Sequence, residues 1–309
     1  MSLPVSVILP TYNRAQLLPR AVSSVLEQSF TEFELIVVDD ASEDDTQAVV
    51  TAVADKRVRY VRLTHNSGVA AARNAGIAAS MGQFFAFQDS DDVWHPHKLT
   101  RQMQAWQEGK KTTGSPELAV IYTQFWRQKG AHRTLFPPAT SRLGKDFLDR
   151  LLWQNLVTTQ AALVWGDALR AVGGFDEELP CLVDWELWLR LATQYSFYFL
   201  PEPLVTVEFT PNSVSARETA VANALAIILQ KHATLFQSNQ RLLAHHHYQI
   251  GHLRCMSGNK AAGMEHLETA VQLAPHLPRY RLTHLLAHLG TSHYRRIYRW
   301  KTAVFPQWF

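Results

Sequence analysis

The chain has 309 residues, 47% of them hydrophobic, enough for one large globular domain with an accessory piece and too apolar for a disordered protein. A formal net charge of +3 is too mild to argue for a nucleic-acid footprint, which shows as concentrated Lys and Arg. Cys181 and Cys255 stand too far apart in sequence for a disulfide framework or a thiolate metal cluster and fit a reducing compartment.

VSVIL (5–9) and ELIVVDD (34–40) are β-branched runs without alternation, which predicts strands buried on both faces of a parallel sheet. Between them Leu17, Leu18, Ala21, Val22, Val25 and Leu26 recur at helical spacing, predicting a helix over 15–29 with Pro19 in its first turn. A second helix is expected after SEDD, a strand at VRYVRL (58–63), a third helix at GVAAARNAGIAAS and a fourth strand at QFFAFQ. Right-handed crossovers then give a doubly wound sheet with a ligand crevice at the carboxyl ends of its strands.

After a helix through about Gln107, EGKKTTGSPE (108–117) reads as a loop, while ELAVIYTQFW and AALVW (161–165) read as strands. The turn GGFDE, the aromatic helix DWELWLRLATQY and the run SFYFLPEPLVTVEF follow, and from about Ala220 only helices are expected. The apolar start breaks at Pro10 without a basic leader, and no run approaches bilayer-spanning length, so the expected location is cytoplasmic.

FFAFQDSDDVW runs an apolar strand into Asp89, Asp91 and Asp92. On extended backbone Asp89 and Asp91 would share a side, an oxygen-only site suited to Mg²⁺ or Mn²⁺ with phosphate oxygens completing the shell. A solvated turn with Asp92 capping a helix is the plainer alternative. Asp39 and Asp40 end the second strand at the same crevice, where a carboxylate can accept a nucleobase N–H; helix capping by Asp40 or Ser42 competes with that role.

PTYNR (10–14), VVDDAS (37–42), NSGVAAARNAGI (66–77), QDSDD (88–92) and GGFDE (173–177) followed by DWELWLRL (184–191) together resemble family 2 glycosyltransferases of the GT-A fold. The resemblance implies an α/β fold, a Rossmann-like, doubly wound, mostly parallel sheet, over 1–215. Its nucleotide-sugar half covers about 1–107 and its acceptor half about 117–215; an all-α extension covers 216–309. It implies that Pro10, Thr11 and Tyr12 hold the nucleobase, that Asp40 reads it, and that Arg73 and Asn74 line the nucleotide. Asp89 and Asp91 match the DXD pair for ribose, diphosphate and metal, with Asp91 as the expected Mn²⁺ or Mg²⁺ ligand. Asp184 matches the catalytic base of an inverting transfer from a nucleotide-diphosphate sugar, a UDP-sugar favoured, to a glycan, lipid-linked or protein acceptor.

The family usually carries Glu before this Asp, whereas Val183 stands here, leaving the sign of any shift in the Asp184 pKa open. Val183 motivates the alternative of a catalytically silent sugar-nucleotide-binding or scaffold protein. Asp184 could also serve as a helix N-cap. Trp165, at a strand end, and Trp185 are acceptor-binding candidates, against the simpler reading that both are core. A receiver-like phosphoacceptor domain would leave GGFDE and DWELWLRL unexplained, and a nucleotidylyltransferase would need a Gly-rich entry loop where PTYNR stands.

Residues 251–275 resemble a single tetratricopeptide repeat, expected to pack as a helical hairpin. His245, His246 and His247 point about 100° apart on a helix and are not expected to share an ion. From Thr269 to Phe309 the chain has no acid, and Arg279, Arg281, Arg295, Arg296, Arg299 and Lys301 are interleaved with Tyr294, Tyr298, Trp300, Trp308 and Phe309. Peripheral contact of this basic tail with the inner face of a membrane is one expectation; an ordinary solvated or self-associating tail is the other.

Overall fold

The computed structural model describes residues 4–112, 117–137, 147–208 and 217–304. The chain divides into two units, Met1–Glu178 with Val183–Thr210, and Leu179–Leu182 with Pro211–Phe309.

In the first unit β1 (Val5–Thr11), β2 (Phe33–Asp39), β3 (Val58–Arg62) and β4 (Phe84–Phe87) form a parallel array in the order β3-β2-β1-β4. Every residue of β1, β2 and β4 is buried, which is why these runs lack alternation. The crossovers carry α1 (Leu18–Leu26), α2 (Thr46–Thr51) and α3 (Val69–Ala79). The first helix is shorter than the expected 15–29 and has Pro19 in its opening turn, where the missing N–H costs no helical bond. Gly76 lets α3 lie close on the sheet: a Cβ there would stand 2.5 Å from Ile8 Cγ2.

Beyond β4 the chain forms β5 (Val93–Trp94), α4 (Lys98–Thr112), β6 (Leu118–Lys129), β7 (His132–Phe136) and α5 (Phe147–Trp153). A 3-10 turn (Thr159–Ala161) leads into β8 (Ala162–Trp165), followed by α6 (Gly166–Ala171), α7 (Val183–Ala192) and β9 (Ser196–Glu208). The sheet continues β4-β8-β6-β9-β5, with β7 beside β6. Strand β8 is antiparallel to both β4 and β6, while β6 and β9 are parallel, so this half is mixed where the sequence suggested a mostly parallel sheet. The loop expected from residue 108 begins later, because α4 runs to Thr112 with Lys110 and Lys111 complementing its negative end. The β6–β7 hairpin, turning at Gly130 (φ 58), and α5 were not anticipated.

The second unit contains α8 (Glu218–Lys231), α9 (Ala233–Gln237), α10 (Gln240–Ser257), α11 (Lys260–Leu273), α12 (Pro278–His288) and α13 (Thr291–Val304). The α10–α11 pair is the expected helical hairpin, closing at Gly258 with φ 103. Gly263, where a tetratricopeptide repeat prefers Ala, faces α10 so closely that a Cβ would come within 2.5 Å of Cys255 Sγ. Tyr294 and Tyr298 of α13 are buried at 1% and 3% exposure, with His252 Nδ1 2.7 Å from the Tyr294 hydroxyl. These tail tyrosines are therefore core residues, and their rings are not presented for the peripheral membrane contact that the basic tail suggested. No helix among the described residues is long and apolar enough to cross a membrane.

Candidate active site

The strand ends of the parallel array assemble the first part of the site. Asp40 follows β2 and is buried; its two carboxylate oxygens accept the backbone N–H groups of Ser67 (2.7 Å) and Gly68 (2.8 Å), at the entry to α3. It remains an acceptor, because each carboxylate oxygen carries two lone pairs. Neither Asp40 nor Ser42 caps α2. Ser42 Oγ accepts the N–H of Asn13, and Asp39 is fully buried and held by Ser42 N–H, Arg62 and Tyr60. Thr11 Oγ1 is buried without a protein partner, and Tyr12 is 42% exposed just past β1, so its ring is available for stacking.

Helix α3 turns Arg73 inward. Its Nη2 donates to Asp89 Oδ1 at 2.7 Å, while its Nε is buried without a protein partner. Asn74, the next residue, bonds to the GGFDE turn instead. Its amide donates to Phe175 O (2.8 Å) and Glu177 Oε1 (2.7 Å), and its Oδ1 accepts the N–H of Phe175 (2.9 Å). Arg190 of α7 grips the same turn through the carbonyls of Val172 and Gly174 (2.7 Å), and is itself paired with the fully buried Glu186 at 2.7 Å. The turn therefore ties α3 to the helix bearing Asp184.

Asp89 and Asp91 do not share a strand: β4 ends at Phe87, and residues 90–91 form a turn closed by Asp92 N–H to Asp89 O (3.2 Å). Asp92 is no helix cap. It is buried, accepts the Glu208 N–H at 2.9 Å and shares Gln160 with Asp89, since Gln160 Nε2 donates to both Asp92 Oδ2 (2.7 Å) and Asp89 Oδ2. Burial, followed by the charges of Asp89 and Asp91, pushes the Asp92 pKa well up. Asp89 has Arg73 and Gln160 on its two oxygens and is the more committed acid. Asp91 has a 21% exposed side chain and a loose approach, 3.9 Å, to Arg14.

No group of three His, Cys, Asp or Glu among the described residues could hold a metal by itself. The donor set fits a hard divalent cation that takes one or two carboxylates and completes its shell with diphosphate oxygens.

Asp184 lies in the first turn of α7, after Val183 rather than at an N-cap. Its Oδ2 accepts Asn155 Nδ2 (3.0 Å) and its Oδ1 the Trp185 N–H (2.8 Å). Burial raises its pKa, opposed by Arg73 and these two hydrogen bonds and assisted by Asp89. The direction left open by the sequence is thus upward, and the charge of Asp184 lies within electrostatic reach of the Arg73–Asp89 pair.

The indole rings of the two acceptor candidates are directed elsewhere, although the Trp185 backbone N–H bonds Asp184. Trp185 is 3% exposed and donates its indole N–H to Leu151 O at 2.7 Å. Trp165 pairs with Phe84 at the start of β4, about 10 Å along the strand from its carboxyl end, and packs 6.4 Å from Trp106. Because β8 is antiparallel to β4, its beginning rather than its end faces the carboxylates. Gln160 stands there and the sequence reading missed it; Asn155 was missed as well.

A family model described as "Glycosyl transferase family 2" matches residues 6–163. An uncharacterized glycosyltransferase RT0329 of Rickettsia typhi is 29% identical over 204 residues, 65% of this chain and 62% of that protein, so the match spans under two thirds of the relative's length. The UDP-Glc:alpha-D-GlcNAc-diphosphoundecaprenol beta-1,3-glucosyltransferase WfgD of Escherichia coli is 39% identical over 99 residues, 32% of this chain and 39% of that protein. The crystal structure of S. aureus TarS 1-349 with UDP-GlcNAc superposes with a TM-score of 0.66 at 18% identity, covering 94% of this chain and 89% of that one. The mannosyltransferase PcManGT of Pyrobaculum calidifontis, with GDP-Man and Mn²⁺, gives 0.58 at 21% identity, covering 98% and 87%. These two likenesses are of fold. The family match ends at Leu163, so the tetratricopeptide resemblance gains no support from it.

Proposed function

The chain belongs to glycosyl transferase family 2, and on that premise we propose that it is a metal-dependent inverting glycosyltransferase moving a sugar from a nucleotide-diphosphate sugar to an acceptor hydroxyl. The observation that carries the reading is the linked acidic cluster: Asp40 at the entry to α3, Arg73 on α3 bonded to Asp89, and Asp184 responding to both Arg73 and Asp89. Like charges gathered in partly desolvated surroundings cost stability, and a divalent cation shared with a diphosphate offsets that cost.

In this reading Pro10, Thr11 and Tyr12 form the base-binding edge, with the exposed Tyr12 ring against the base and Asp40 accepting its N–H. Arg73 and Asp89 orient the ribose and diphosphate side, and Asn74 acts through the GGFDE turn as a positioning residue. A divalent cation at Asp91, supported by Asp89, would supply Lewis-acid stabilisation of the charge that develops on the diphosphate. Asp184 takes the proton of the acceptor hydroxyl as the hydroxyl oxygen attacks the anomeric carbon, whose bond to the diphosphate oxygen breaks and releases the nucleoside diphosphate. Its raised pKa makes it a stronger base than an ordinary carboxylate, and Asn155 and the Trp185 N–H hold its two oxygens in place.

A UDP-sugar donor and a lipid-linked saccharide acceptor, in polysaccharide biosynthesis, are the preferred substrates. Support comes from the UDP-GlcNAc bound by TarS and the diphosphoundecaprenol acceptor named for WfgD; PcManGT, with GDP-Man, marks the competing donor. Thermal-shift measurements with UDP- and GDP-sugars, with and without Mn²⁺, test the reading, because a selective ligand stabilises by mass action. A Mn²⁺-dependent shift with a UDP-sugar, reduced in Asp91→Asn, is expected. No shift with any nucleotide sugar would overturn it.

A further inference from the structure

We propose that the exposed face of α12 is a docking surface for an anionic lipid bilayer. Leu282, Leu285 and Leu289 are 57%, 63% and 56% exposed. Their i, i+3, i+7 spacing puts them on one side, with the exposed Pro278 in line. The buried residues of the same helix, Tyr280, Thr283 and Ala287, repeat the same spacing on the opposite side, so the leucine face is turned away from the core of its unit. A hollow lined by Pro275, His276, Pro278, Arg281, Leu282 and Leu285 continues the apolar strip toward the start of the helix.

Charge selects the occupant. No acid occurs from Thr269 to Phe309, and the exposed Arg281 borders the strip, whereas Arg279 turns its guanidinium to the Tyr248 and Tyr280 rings. An apolar strip on a helix that carries arginines and no acid suits acyl chains beneath anionic headgroups. It suits a second copy of the same face poorly, since a two-fold contact would gather the cations of both helices at one interface with no acid of α12 to pair them. The surface differs from the one the sequence suggested: the aromatic rings of α13 that are described, Tyr294 and Tyr298, are buried, and the leucines of the preceding helix take the apolar role. It deepens the reading of a lipid-linked acceptor without depending on it, because binding is measured apart from transfer.

The test is co-sedimentation of the full chain with vesicles of phosphatidylcholine alone and of phosphatidylcholine with phosphatidylglycerol. The chain is expected to pellet with the anionic vesicles and to be released by salt. The triple variant Leu282→Ser, Leu285→Ser, Leu289→Ser should bind about tenfold or more weakly, and Arg281→Glu should also bind more weakly. Nucleotide-sugar binding of these variants should match the parent, which separates failure of this surface from failure of the transferase reading. As a check independent of the triple variant's folding, Leu285→Cys carrying an environment-sensitive fluorophore should report an apolar shift on anionic vesicles only. Equal sedimentation of parent and triple variant would overturn the proposal, as would leucine-dependent dimerisation without vesicle binding.

Discussion

The two halves of the sheet reach the same cluster of carboxylates from opposite strand ends. In the parallel half the functional positions follow their strands: Thr11 ends β1, Asp40 follows β2 and Asp89 comes shortly after β4. In the other half β8 runs backwards, and Gln160 precedes it. The parallel half provides groups fixed by backbone topology, whereas the antiparallel half provides side chains that reach back to hold them. Damage to each half should accordingly have a different signature.

The largest effect is expected at Asp184, the acid that the second half adds. Asp184→Asn should lower transfer by about 100- to 10,000-fold, the usual worth of a general base, while leaving nucleotide-sugar binding intact. Because burial raises this pKa and the base must be ionised, the rate should fall with decreasing pH through a value above that of an ordinary carboxylate. Measured kcat/KM against pH tests both points. Unchanged turnover, or binding without turnover in the parent over a broad acceptor panel, would favour a silent binding protein.

Gln160→Leu comes next. It removes the amide donor that Asp89 and the buried Asp92 share and leaves the Asp92 carboxylate to the Glu208 N–H, so a loss of about 1–3 kcal/mol in denaturant unfolding is expected. The turn carrying Asp91 should lose its hold as well. A higher Mn²⁺ requirement and a raised donor KM, with a smaller change in kcat, would mark a positioning role; a stability loss alone would reduce Gln160 to packing.

These residues also show where the sequence was legible. Non-alternating β-branched runs and the helical spacing of α1 sufficed for the parallel half, because in a βαβ array each strand's carboxyl end faces the crevice. The same rule applied to AALVW put Trp165 at the site, and the antiparallel pairing of Phe84 with Trp165 reverses that conclusion. Nothing local in TTQAALVW states the strand's direction, which is fixed by long-range pairing with β4 and β6. Lys98 is a similar case. It is fully buried over the Trp94 ring (3.7 Å), donates to Gln102 Oε1 (2.9 Å) and has its pKa pushed well down by burial, yet in sequence it reads as an ordinary surface lysine.

The smallest effects should fall on the two tryptophan rings, and they sharpen the comparison because neither indole is bonded to the carboxylate cluster. Trp185→Phe removes the hydrogen bond to Leu151 O and should cost about 0.5–1.5 kcal/mol of stability, with acceptor KM unchanged. Trp165→Ala should leave both donor and acceptor KM near the parent values, since its ring packs beside Trp106 at the opposite end of β4 from Asp89. A selective rise in acceptor KM for Trp165→Ala would mean that acceptors reach the amino end of β4, and the crevice would then have to extend around the sheet rather than stop at its carboxylate end.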